Sequence, residues 1–231
     1  MPKLLSIIIP VYNEEKIIAT SLPAIFSLAL SKEIIIINDG SSDNTLSILK
    51  DLNKTYPFKL IDQAVNRGKG EAVKLGLEVF TGDYFIICDA DLEYAPEDII
   101  FLWQEIEKID LAQPDKKIAV YGSRFLNKPK ISFHYLINKF LTRLTNILFS
   151  SQLTDMETCF KLIPRSFLET SKISGRRFEI EPEITAKLLK NNYQIIERPV
   201  SYCRRTYLEG KKIKARDGLL AIKTLLAEYF N

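Results

Sequence analysis

The sequence predicts a doubly wound α/β fold, a mostly parallel sheet with helices on both faces. Short runs of consecutive β-branched or aromatic residues recur along the first half of the chain. Segments that are apolar on successive positions suit strands covered on both faces, as parallel strands are. Helical patterns separate these runs, and strand–helix alternation implies right-handed βαβ crossovers. Each of the main strands also ends in a polar cluster, at the sheet edge where such folds bind ligands.

Taken in order, strands are expected at Ser6–Pro10, Glu33–Asn38, Phe58–Gln63 and Tyr84–Cys88. Helices are expected between them, at Glu14–Leu30, Asn44–Thr55 and Gly68–Phe80, each opening behind a turn-forming segment. Asp43 or Asn44 can cap the second helix, and Gly68 and Gly70 permit a tight turn before the third. The second half is less regular. It reads as a helix after Pro96, a strand at Ala119–Tyr121 closed by Gly122-Ser123-Arg124, and an amphipathic helix over 131–149. A helix at Glu181–Lys190, a strand at Gln194–Pro199 and a closing helix at Arg216–Phe230 complete it. No repeat or low-complexity linker divides the 231 residues, so one domain is expected over 1–231.

Composition narrows the function classes. Hydrophobic residues make up 46% and charged residues 26%, as in an ordinary globular chain. The 32 basic and 29 acidic side chains leave a net charge of +3, which gives no bulk attraction for nucleic acid. Cys88, Cys159 and Cys203 lie too far apart for a zinc knuckle or a disulfide framework, so a reducing cytoplasm is expected. No apolar run approaches the roughly 18–20 residues that span a bilayer, and no leader pattern opens the sequence.

The polar strand ends carry the chemistry. Asp89 and Asp91 leave a buried strand one residue apart, and a divalent cation such as Mg²⁺ or Mn²⁺ would relieve their repulsion. A solvated turn that caps the helix near Pro96 is the other reading. Asp39 could accept hydrogen bonds from a base or ribose, with Gly40 allowing close approach, or it could serve an Asx-turn. Tyr12 and Glu14, after Pro10, could flank the same ligand, while Glu14 could instead favour a helix N-terminus. Asn66-Arg67-Gly68-Lys69-Gly70 resembles a phosphate cradle, with Lys69 at its centre, but matches neither GxGxxG nor GxxxxGK[ST]. His134 is the single histidine, and no nucleophilic triad is in view. Residues 198–216 hold seven basic side chains against Glu209, a local net of +6 that suits either a solvated face or a loop closing over an anion. The 131–149 stripe has no acid and suits either core packing or anionic lipid headgroups.

Eight segments in order (SIIIPVYNEE, IINDGSSDNT, NRGKGEAVKLGL, DADLEYAPEDI, GSRF, DMETCFK, FEIEPEITAKL and RTYLEGKKIKARDG) resemble the family 2 inverting glycosyltransferases of GT-A, Rossmann-like fold. Within that family the pattern looks like the dolichol- or polyprenyl-phosphate mannose synthase branch. It departs from that branch at Cys159 and at Gly210-Lys211-Lys212. The resemblance implies that Pro10, Tyr12, Glu14 and Asp39 hold the nucleoside of a sugar donor, GDP-mannose or UDP-glucose. It implies that Asp89 and Asp91 hold Mg²⁺ or Mn²⁺ on the diphosphate, with Glu93 beside them. Arg124 would approach the sugar or the acceptor phosphate, and Asp155 the reacting carbon, so that Asp91, Arg124 and Asp155 carry the catalytic expectation. Arg204, Arg205, Lys211 and Lys212 would close on phosphate. Residues 1–125 then form a nucleotide-sugar half and 126–231 an acceptor half. The acceptor would be polyprenyl or dolichyl phosphate at the inner face of the membrane, met through 131–149. A hydroxyl of a glycan or small molecule is the alternative, with Asp155 or a glutamate of Glu181-Pro182-Glu183 as base. Nucleotidyl transfer and non-catalytic nucleotide-sugar binding are the readings from other classes.

Overall fold

A computed structural model describes residues 3–113, 116–127, 132–205 and 215–231 and gathers seven strands into one sheet. In the first half the elements are β1 (Leu5–Val11), α1 (Ile18–Phe26), β2 (Lys32–Asn38), α2 (Thr45–Leu52), β3 (Lys59–Asp62), α3 (Lys69–Val79) and β4 (Tyr84–Ile87). There follow α4 (Asp98–Ala112), β5 (Ile118–Ser123), α5 (Phe133–Phe149), β6 (Lys161–Pro164), α6 (Phe167–Thr170), α7 (Ile180–Lys190), β7 (Gln194–Pro199) and α8 (Ala215–Phe230). The strand order is β3-β2-β1-β4-β6-β5-β7. The pairs β1·β2, β1·β4, β2·β3 and β5·β7 are parallel, whereas β6 runs antiparallel to both β4 and β5. The mostly parallel α/β sheet predicted from the sequence is the sheet observed.

The apolar runs explain the centre of the sheet. Leu5, Ile7, Ile8 and Ile9 of β1 are all fully buried. Successive strand residues point to opposite faces, so both faces of β1 are covered. Each such side chain contributes about 1.5–3 kcal/mol by leaving water, which makes β1 the natural spine. From β1 the chain builds outward through β2 to β3, then returns to place β4 on the other side. The β1–β4 boundary is therefore a topological switch point, where loops at the carboxyl ends diverge and leave a crevice.

Three elements differ from expectation, one being α6, four residues that the sequence pattern does not predict. The helix expected from Glu14 begins at Ile18, because the preceding turn is tied to the loop after β2. Asn13 sits at φ 49°, Ser42 N donates to Asn13 Oδ1 (2.8 Å), and Glu14 N donates to Thr45 Oγ1 (2.9 Å). Strand β6 was not expected at all. Its four residues end in proline and include Lys161, which is fully buried, a pattern that apolar periodicity cannot score.

In α5 the apolar stripe divides. Leu141 is buried, with Ile137, Leu144 and Leu148 packed around it against α7 and α8, while Leu136, Phe140 and Ile147 are exposed. Thr142 and Thr145, from the polar side of the pattern, are buried instead. Among the described residues no helix is long and apolar enough to cross a membrane.

Candidate active site

The loop after β2 and the loop after β3 are welded together by Asp39. This buried carboxylate accepts from Gln63 Nε2 (3.1 Å), Asn66 Nδ2 (2.8 Å) and the backbone N–H groups of Arg67 and Gly68 (2.8 Å each). Burial raises the Asp39 pKa, and the Arg67 and Gly68 N–H groups oppose that rise. Gly40 makes the approach possible. It has φ +63°, and a Cβ there would lie 2.3 Å from the carbonyl carbon of Val65.

Beside this cradle the carboxyl ends of β1, β2 and β4 enclose a cleft of about 440 Å³. Pro10, Tyr12 and Glu14 form one wall, Asp39 and Lys69 another, and Asp89, Asp91 and Glu93 a third. Lys69 Nζ lies 2.8 Å from Asp89 and 3.1 Å from Glu181. Burial lowers the Lys69 pKa, but the neighbouring carboxylates Asp89 and Glu181 outweigh burial and raise it well above the usual lysine range. Arg205 Nη2 donates to Asp91 (2.8 Å), and Arg205 Nη1 donates to Glu14 (3.2 Å). Burial, reinforced by the neighbouring Asp89, pushes Asp91 up to about 6. The two aspartates thus stand together at a cost, as their spacing suggested.

Glu93 clamps the C-terminal segment onto this loop. Its carboxylate accepts from Tyr202 Oη (2.6 Å) and Arg205 N (2.8 Å), and its carbonyl accepts from Cys203 N (2.7 Å). A bridge between Tyr94 and Tyr202 continues the contact.

Three expected site residues are not brought to the cleft. Arg124 donates through Nε and Nη2 to Asp155 (2.7 Å each), and Asp155 is 0% exposed. Their charges satisfy one another, and the guanidinium lies over the Tyr202 ring at 5.2 Å. Arg204 instead sets Nη2 against His134 Nδ1 (3.0 Å). Lys211 and Lys212 lie outside the described residues. The alternative bases are also engaged. Glu181 is shared between Lys69 and Lys161, while Glu183 accepts from Ser174 N, Ser174 Oγ and Gly175 N and pairs with Lys187.

Sequence reasoning did not single out Arg177 and Phe178, which line the cleft just before α7. The paired arginines after Gly175 were the available signal. With them, among the described residues, the lining holds five carboxylates (Glu14, Asp39, Asp89, Asp91 and Glu93) against three cations (Lys69, Arg177 and Arg205), a formal net of −2. Among the described residues no three His, Cys, Asp or Glu side chains gather as a self-sufficient metal site. The donor set suits a hard divalent ion: Asp89 and Asp91 would hold it through carboxylate oxygens, leaving positions for phosphate oxygens and water.

Comparison with known proteins agrees with this architecture. The glycosyl transferase family 2 model matches residues 6–171. Poly-β-1,6-N-acetyl-D-glucosamine synthase of Staphylococcus epidermidis is 37% identical over 128 residues, 55% of this chain and 30% of that protein. The chain thus spans less than a third of the length of the curated relative it matches. Glucosyl-3-phosphoglycerate synthase of Mycobacterium tuberculosis, solved with Mn²⁺, UDP and phosphoglyceric acid, superposes with a TM-score of 0.73. The identity there is 17%, over 98% of this chain and 78% of that one. Staphylococcus aureus TarS residues 1–349, solved with UDP-GlcNAc, gives a TM-score of 0.65 at 16% identity, covering 99% of this chain and 67% of that one. The ordered motifs, the sheet and the family match lead to one conclusion: the chain belongs to glycosyl transferase family 2.

Proposed function

We propose that this glycosyltransferase is metal-dependent and inverting, and that it moves glucose or mannose from a nucleoside-diphosphate sugar to polyprenyl phosphate at a membrane surface. The observation that carries the reading is the pair Asp89 and Asp91 at the cleft wall, with a −2 charge balance among the described lining residues. One divalent cation cancels it, and Lys69, Arg177 and Arg205 remain to face the donor's diphosphate. Tyr12 and Pro10 suit the face of the base and Asp39 anchors the loop beneath it. UDP is the favoured nucleotide, since two solved structures of the same fold hold UDP or UDP-GlcNAc.

In the reaction the acceptor oxygen attacks the anomeric carbon opposite the diphosphate. The carbon–oxygen bond to the diphosphate breaks, and its electron pair stays on the departing phosphate oxygen. A cation held by Asp89 and Asp91 would stabilise that developing charge. Arg205, at the cleft wall with Lys69 and Arg177, would supply positive charge to the same phosphates. A phosphate monoester, with a second pKa near ~6, arrives largely ionised and needs no base. That agrees with the engagement of Asp155, Glu181 and Glu183 in ion pairs. The exposed Leu136, Phe140 and Ile147 beside Arg143, on a helix without acids, suit an anionic lipid surface at the cytoplasmic face.

A hydroxyl acceptor is the second reading, favoured by the polysaccharide synthase among the relatives. The test supplies radiolabelled UDP-glucose, UDP-GlcNAc or GDP-mannose with Mn²⁺, and offers polyprenyl phosphate beside soluble sugar and glycerate acceptors. Label in the organic phase with release of nucleoside diphosphate is expected. Label in soluble product alone moves the acceptor to a hydroxyl, and pyrophosphate release sinks glycosyl transfer.

A further inference from the structure

Glu181 is 4% exposed and does not line the cleft, yet it is tied to it. Its Oε1 lies 3.1 Å from Lys69 Nζ and its Oε2 pairs with Lys161. Lys161 is fully buried on β6, where its Nζ also donates to the Thr158 carbonyl. Lys69 opens α3 at the cleft wall, with Asp89 at 2.8 Å. Charges of alternating sign, Lys161, Glu181, Lys69 and Asp89, therefore run from the interior of the second half of the chain to the aspartate pair. The single charge of Lys69 is divided between two carboxylates.

We infer that Glu181 is a positioning residue that sets how strongly Asp89 can hold a divalent cation, by drawing the Lys69 ammonium away from it. This rests on the metal-dependent reading above. An aspartate paired with one lysine alone is largely neutralised, and at these separations in a poorly solvated site the attraction is strong. Glu181 competes for Lys69 and leaves Asp89 more negative. Lys161 works in the opposite sense, because it holds half of Glu181.

Two substitutions therefore shift metal affinity in opposite directions. Glu181→Gln gives Lys69 wholly to Asp89 and removes a negative charge near the cation. Lys161→Met, similar in volume, gives Glu181 wholly to Lys69. Mn²⁺ binding is read by electron paramagnetic resonance with and without UDP, on variants whose fold is checked by circular dichroism. Glu181→Gln weakens Mn²⁺ binding by about tenfold or more, and Lys161→Met strengthens it. A merely structural role would weaken both. If Glu181→Gln does not fold, the sign for Lys161→Met decides alone: unchanged or weaker binding overturns the inference. At saturating Mn²⁺ the kcat of Glu181→Gln returns to within a few-fold of the parent. A kcat still depressed by about 10²–10⁴ makes Glu181 the base and overturns the inference. A parent that binds no Mn²⁺ even with UDP overturns the metal-dependent reading itself. Normal parent binding with shifts of like sign overturns this inference alone.

Discussion

Asp155→Asn separates a structural carboxylate from a catalytic one. Asp155 is 0% exposed and takes both Arg124 Nε and Nη2 at 2.7 Å, as well as the Arg124 backbone N–H at 3.0 Å. Arg124 has only 10% of its side chain exposed, so neutralising its partner strands a guanidinium without counter-charge. Breaking one side of a buried pair costs about 3–5 kcal/mol. At about 2–4 °C per kcal/mol for a chain of this size, Tm falls by roughly 6–20 °C. Thermal and urea unfolding read this directly. The double variant Arg124→Met with Asp155→Asn removes both charges, and its amide oxygen still accepts the backbone N–H. It recovers most of the loss. The reasoning is refuted if Asp155→Asn stays within about 1 kcal/mol of the parent while turnover falls about a thousandfold. Asp155 would then be a working base that reaches the cleft.

Two other outcomes follow from local geometry. Gly40→Ala places a Cβ 2.3 Å from Val65 C and 2.4 Å from Asn66 N at a position of φ +63°, so the loop that Asp39 anchors must move. UDP with Mn²⁺ at about 100 times Kd should stabilise the parent by about 2.7 kcal/mol in a thermal-shift assay and the variant by far less; an equal shift would detach Asp39 from nucleotide binding. Glu33 titrates far below its usual range. Burial alone would raise its pKa, but hydrogen bonds from Ser6, Thr81 and Lys59 outweigh burial and hold it at about 2. Because folding depresses this pKa, the stabilisation is complete above about 4.5 and fades as pH falls toward 2. Glu33→Gln should flatten the loss of urea stability between about pH 5 and about pH 3, and a slope equal to the parent's would remove Glu33 from the acid transition.

The division between what residues announce and what packing decides is visible element by element. Isoleucine runs such as Ile34–Ile37 state strand and double burial at once, because transfer from water acts on each side chain wherever it sits. Polar residues directly behind such runs are carried to the sheet edge by chain connectivity, and so Tyr12, Glu14, Asp39, Asp89 and Asp91 were legible as neighbours. Glycine and asparagine signals fixed the turns but not where α1 starts, since that depends on Asn13 meeting Ser41 and Ser42, 28 and 29 residues away.

Charged side chains behaved differently. Glu181, Asp155 and Arg124 read as catalytic or substrate-binding candidates and Lys161 was not singled out, and tertiary packing turned them into buried pairs. An ion pair depends on two residues meeting across 20 or 31 positions of sequence, and nothing local to either member records that meeting. Strand β6 belongs to the same class, held between β4 and β5 by its neighbours rather than by its own four residues. The sequence by itself determined the mostly parallel α/β class, the succession of its first strands along the chain and the resemblance to the family. Only the tertiary structure decided which carboxylates face the cleft and which are neutralised behind it, because burial is written residue by residue and charge pairing is not.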